Sequence, residues 1–180
     1  DRSKNLGKTY KEATGEIRVF TMTADSGTWQ NTIIAQLIAD VLGVATERIA
    51  VTHMDTEAAP TDLGSAASRV TFVTGNAAVR AANMLRESIV EKLAEVWQCP
   101  ESEIRLAGGT ASHGDLQAQR ISIEEFARQY GPVQCDGHYT VPRSRADAKT
   151  GHGDYAAAYV FGAHAAEVAL ARPDTGLDAI

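Results

Sequence analysis

One stripe of residues constrains this chain more than any other. Ala77, Ala81, Leu85, Ile89, Leu93 and Val96 recur at intervals of three and four, the spacing that collects side chains on one face of a helix. The pattern predicts a long amphipathic helix over residues 69–97. A shorter stripe of Ile33, Ile34, Leu37, Ile38, Val41 and Leu42 predicts a helix over 32–42, with Asn31 as its cap and Gly43 as its stop. Each helix is followed by a short connector and a strand signal, Ile49 and Val51 in the first case and Ile104 and Leu106 in the second. Two similar αβ units are expected.

Around these units Ile17, Val19 and Thr21 alternate with Arg18, Phe20 and Met22, the period of a strand over 16–23. Asp25, Ser26 and Gly27 then form a turn. Ser122 with Glu125 is a capping-box signature for a short helix ending near Tyr130. A strand is expected over 133–141, an exposed loop over 142–153, and a long strand over 155–170 with a bulge at Gly162. Residues 1–15 are polar and basic without apolar period and read as a loose segment. The fold class is α+β, a mixed sheet with packed helices, the long helix among them.

A chain of 180 residues with 44% hydrophobic content can bury a single core. Its net charge of −6 gives no overall attraction to nucleic acid or an anionic membrane surface, so small molecules or proteins are the expected partners. Two cysteines, Cys99 and Cys135, are too few for a disulfide scaffold or one iron–sulfur cluster. The apolar stretch over 156–171 is interrupted by His164 and Glu167 and is shorter than the roughly 20 residues of a spanning helix. The chain opens on Asp1 without a charged-then-apolar leader, which suits a processed start or a segment of a longer protein.

Two stretches carry the features of a binding site. Gly64, Ser65, Ala66, Ala67, Ser68 and Arg69 precede the long helix, and their lack of bulk lets backbone N–H groups approach a ligand. Helix N-terminal amides, two hydroxyls and a guanidinium suit an anion. Simple capping by Ser68 with a solvated Arg69 is the alternative. Gly27, Thr28, Trp29, Gln30, Asn31 and Thr32 offer similar donors at a second helix start, and the two together could grip one extended ligand; capping again explains them equally well. His53, His113, His138, His152 and His164 have no metal-ligand spacing, so no protein-bound metal is expected. Asp55, Glu57 and Asp62 are acid–base candidates, with plain loop carboxylates as the alternative. No catalytic residue is assigned.

Three strings, read together, resemble the molybdopterin-binding large subunit of the xanthine dehydrogenase and aldehyde oxidase family. The first is Thr23, Ala24, Asp25, Ser26, Gly27, followed by Thr32 to Gln36 and by Val41, Leu42, Gly43, Val44. The second is Asp55, Thr56 and Pro60, then Gly64 to Thr71 and Gly75, Asn76, Ala77. The third runs from Tyr159 to Val168 and leads to Asp174, Thr175, Gly176. The middle string is most similar to the hydroxybenzoyl-CoA reductase branch.

The resemblance implies that residues 16–180 are part of a molybdenum-cofactor-binding domain in a longer subunit. Gly64, Ser65, Ala67, Ser68 and Arg69 would hold the anionic portion of a molybdopterin-type cofactor, with Gly27 and Thr28 beside the pterin. Thr28 and Trp29 depart from the family's Gly-Gln-Gly turn. Nothing here matches the family's Gly-Phe-Gly loop or its catalytic glutamate, so the isolated chain is expected to bind no cofactor and to be inactive. The whole subunit would hydroxylate aldehydes or N-heterocycles, or reductively dehydroxylate an aromatic CoA thioester, in the cytoplasm. Its partners would be the rest of the large subunit and iron–sulfur and flavin subunits, not nucleic acid or membrane. The rival reading is a non-catalytic protein-association module that keeps the fold.

Overall fold

The structure is a computed structural model that describes residues 5–11, 16–114, 119–142, 145–154, 156–159 and 161–168. It divides into two compact units, 1–142 and 143–180.

In the first unit a four-stranded sheet has the order β3-β2-β1-β7, from β1 (Asn5–Lys11), β2 (Ile17–Thr21), β3 (Ile49–His53) and β7 (Gln134–Tyr139). β2 and β3 run parallel with Val19 opposite Val51, whereas β1 is antiparallel to β2 and β7, making the sheet mixed as expected. Parallel pairing requires a crossover. Helix α1 (Gln30–Leu42) supplies it, burying Ile34, Ile38 and Leu42. Burying each such side chain contributes about 1.5–3 kcal/mol.

The long helix is present. It opens with a π-helical turn (Val70–Thr74) and continues as α2 (Gly75–Trp97). Ala77, Ala81, Leu85, Ile89 and Leu93 are fully or almost fully buried, the predicted stripe less its last member, Val96, which is exposed. Where α2 meets α1, Gly75 leaves no room for a side chain beside Leu37. α2 packs against β1, β7 and α1, and against β4 (Ile104–Ala107) of a second, antiparallel sheet, β4-β5-β6, with β5 (Thr110–His113) and β6 (Arg120–Ser122). Helix α3 (Ile123–Tyr130) starts on the predicted capping box.

The two αβ units match closely. α1 ends on Gly43 and α2 on Gln98, both left-handed; each is followed by a 3-10 turn (Thr46–Arg48, Glu101–Glu103) and then by a strand.

Three expectations need correction. Residues 5–11 of the supposedly loose segment form β1, hydrogen-bonded on both sides, because ladder bonding is a backbone property that needs no apolar period. Asn31 is not the cap of α1: Trp29 occupies that position, and the Asp25 carboxylate accepts from the Asn31 amide at 3.3 Å in place of a neighbouring side chain. In the second unit, β8 (Arg145–Ala146) pairs with β9 (Gly153–Asp154) inside the expected loop, while 156–159 and 161–168 are not in strand. A strand needs a hydrogen-bonding partner, and none lies beside these residues among those described. Residues 1–4, the 174–176 turn and the two ends of the expected last strand lie outside the described residues.

Candidate functional site

The two stretches singled out in the sequence come together at one end of the four-stranded sheet. Ser65 joins them: its hydroxyl lies 2.8 Å from the Ala24 carbonyl oxygen and 2.9 Å from Gln30 Oε1, one proton shared between two acceptors. The turn before α1 is shaped by Asp25, whose carboxylate accepts from the amides of Gly27 at 3.2 Å and Asn31. Asn31 reaches across to His53 at the end of β3, Nδ2 to Nδ1 3.1 Å. Gln30, Asn31 and His53 thus tie three loops together, a role their spacing does not announce.

Residues 65–68 are exposed. Ala67 and Ser68 both have positive φ, 48° and 53°, and Gly64 has φ 74°. The change from left-handed Ser68 to right-handed Arg69 is the kind of backbone that forms an anion-binding concavity. The amides of Ser65, Ala66, Ala67 and Ser68 and the Ser68 hydroxyl have no hydrogen-bond partner among the described residues. Ser68 does not cap the helix. Capping therefore does not account for this loop.

Arg69 turns inward. Its Nη1 donates to Asp62 at 2.8 Å and to the Gly64 carbonyl at 3.2 Å, closing the loop on itself, and the Asp62 side chain is only 1% exposed. Asp62 is thus bound into the closure of the loop. Asp55 is likewise structural, accepting from the amides of Glu57 and Ala58. Among the described residues no group of three or more His, Cys, Asp or Glu could hold a metal ion.

Backbone strain collects here. Five described non-glycine residues have positive φ: Trp29, Met54, Ala67, Ser68 and Gln98. All but Gln98 belong to the three tied loops. Each such residue costs on the order of 1 kcal/mol, and strain of this kind concentrates at functional sites. Gly27, with φ 86° and open space where a side chain would stand, completes the turn, and Thr28 beside it is exposed.

Residues 9–176 match the molybdopterin cofactor-binding domain family. The chain belongs to that family. Among relatives of this molybdopterin cofactor-binding domain, the 6-hydroxypseudooxynicotine dehydrogenase complex subunit gamma of Paenarthrobacter nicotinovorans is 30% identical over 90% of the chain and 20% of the relative. The probable hypoxanthine oxidase XdhD of Escherichia coli K12 is 32% identical over 88% of the chain and 16% of the relative. The domain thus spans a fifth or less of the length of these relatives. Its fold is that of a segment of the Cu,Mo-CO dehydrogenase, with a TM-score of 0.70 at 20% identity over 79% of this chain and 19% of that one. The resemblance read from the three strings is therefore sound at the level of the xanthine dehydrogenase type of molybdenum oxidoreductase. Among the described residues no helix is long and apolar enough to cross a membrane.

Proposed function

We propose that this domain holds part of a molybdopterin-type cofactor within a larger oxidoreductase subunit, and that the loop from Gly64 to Arg69 is its anion-binding wall. The observation that carries the reading is the run of four exposed residues, Ser65 to Ser68, whose amides have no partner among the described residues. An anion there gains charge-assisted hydrogen bonds, each contributing about 1.5–3 kcal/mol. The loop fits such a group because its small residues leave the backbone open to approach. Ser68 adds a hydroxyl, Ser65 fixes the loop against the Gly27 and Thr28 turn, and Arg69 with Asp62 holds its shape from within. When bound, the cofactor supplies a two-electron redox centre; this chain binds and orients it.

Relatives named for hypoxanthine and for a nicotine derivative support an N-heterocycle as substrate class, reached by hydroxylation rather than by reductive dehydroxylation of an aromatic thioester. The relative named as a subunit of a dehydrogenase complex supports partner subunits that carry electrons onward. Exposed Tyr159, Phe161 and Val168 in the second unit suit packing against further parts of such an assembly. The 180-residue chain alone, without the family's catalytic glutamate and Gly-Phe-Gly loop, is expected to show no turnover.

The test is Ser68→Ala in the full-length subunit. Molybdenum and pterin per subunit should fall several-fold and activity should fall in proportion, with the Michaelis constant nearly unchanged. Normal cofactor content with a strongly raised Michaelis constant would place the loop against substrate instead.

A further inference from the structure

β7 is an outermost strand of its sheet. The order β3-β2-β1-β7 gives it one neighbour, β1, and leaves its outer side without a strand among the described residues. Such an edge presents a row of unpaired N–H and C=O groups, a template on which another chain can pair. Arg80 of α2 meets this edge. Its Nη1 donates to the His138 carbonyl oxygen at 2.8 Å, and both residues are exposed. A carbonyl held by an exposed guanidinium points away from the ladder to β1, and in an antiparallel strand the backbone groups of every second residue, here Gln134 and Asp136, point the same way. Among the described residues these two make no backbone hydrogen bond outside the ladder. The guanidinium is steadied by Tyr139, its carbon lying 5.0 Å from the ring centroid, and Phe72 meets the same ring edge-on at 5.6 Å.

The strand is suited to pairing with itself. Set antiparallel to a second β7 about Gly137, it places Asp136 opposite His138 of the second copy, and the two-fold axis repeats the pair, a carboxylate against an imidazole both times. Asp136 and His138 are the residues whose backbone faces outward, so each pair would exchange two backbone hydrogen bonds. At the axis Gly137 brings no side chain to the point where the strands come closest. Pro132 and Pro142, which lack an N–H, bracket the strand and confine the pairing to it. We propose that the outer edge of β7 is a pairing surface for the same strand of a second copy of this chain, and that Arg80 keeps it shut. While Arg80 is in place the His138 carbonyl is occupied, and a closing ladder would have to bury a guanidinium without an ion partner.

The test is the oligomeric state of the 180-residue chain by sedimentation equilibrium. Arg80 is exposed on a helix and alanine suits a helix interior, so Arg80→Ala should fold, which circular dichroism checks for every variant. It should lower the dimer dissociation constant at least about tenfold relative to wild type. Adding His138→Pro, which removes an outward N–H and no ladder bond to β1, should return the chain to wild-type behaviour. So should adding Asp136→Lys, which puts a cation where the acid stood. An Arg80→Ala chain no more dimeric than wild type overturns the proposal. A dimer that survives either second substitution in a folded chain overturns β7 as its seat, as does association beyond two copies, since one self-complementary edge closes at a dimer. Arg80→Ala in the full-length subunit should dimerise in the same way. A full-length variant that stays monomeric while the 180-residue chain dimerises overturns the second copy as occupant and gives the edge to another segment of the subunit.

Discussion

Gly137 of β7 and Ala81 of α2 meet with no space for a side chain between them. A Cβ placed on Gly137 would lie 2.7 Å from the Ala81 amide nitrogen and 2.9 Å from its Cβ, and would collide with the carbonyl oxygen of Ala77. The neighbours are helix backbone, which cannot swing aside as a flexible side chain would. The helix is thus seated on the sheet through glycine on one side and alanine on the other.

Gly137→Ala should consequently push β7 off α2 and destabilise the 180-residue chain by about 3 kcal/mol, the upper end for overpacking. Urea unfolding gives the value. A loss below about 1 kcal/mol would show that the helix shifts freely on the sheet.

Arg69 and Asp62 should behave as a coupled pair. Removing the guanidinium alone leaves a carboxylate that is 1% exposed without its ion partner, which costs about 3 kcal/mol or more. Asp62→Ala with Arg69→Ala should be less destabilising than Arg69→Ala alone. A double-mutant cycle reads the difference, and simple additivity would mean that the pair does not hold the loop.

The two helix ends predict opposite responses to glycine exchange. Gly43 has φ 63°, and a Cβ there would press on Gly108 N at 3.3 Å, so Gly43→Ala should cost about 1 kcal/mol. Gln98 bears a side chain at φ 54°, and Gln98→Gly should gain roughly 0.5–1 kcal/mol. Thermal unfolding of both variants should show midpoints moving in opposite directions.

At the start of α3 the Ser122 amide donates to the Glu125 carboxylate at 2.9 Å and the Glu125 amide to Ser122 Oγ at 3.1 Å. The Ser122 amide, followed by the hydroxyl of the same residue, holds the Glu125 carboxyl below its ordinary range. A lowered folded pKa means a contribution complete above the ordinary glutamate range and lost as pH falls through the folded value. Ser122→Ala, which removes the hydroxyl that accepts from the Glu125 amide, should lower the unfolding midpoint at pH 7. The Glu125→Gln penalty should shrink as pH falls below the ordinary glutamate range, which unfolding curves in acid would register.

The helices were legible because their signals are local: the Ala77 to Leu93 stripe, Gly43 after Leu42, and Ser122 three residues before Glu125. β1 was not, because Asn5 to Lys11 carries no apolar alternation and is ordered by two flanking ladders. The small-residue loop could be located, yet its closure by Asp62 and its tie to Gln30 depend on partners 7 and 35 residues away. The left-handed backbone at Trp29 was not legible either, since nothing in a sequence shows it at tryptophan. The 155–170 stretch reads as strand by composition, but pairing is a property of neighbours, not of the segment.

The π turn over Val70–Thr74 sets the aim of the loop relative to the seat of the helix. A π turn accommodates one residue more than an α turn, and in an α-helix one residue is about 100° of rotation. Were 70–74 to tighten by a residue, residues 65–68 would turn relative to the Ala77 to Leu93 face, and the buried Val70 and Val73 and the ties of Ser65 to Ala24 and Gln30 would have to be remade. One extra residue thus works as an angular offset that the core itself holds in place.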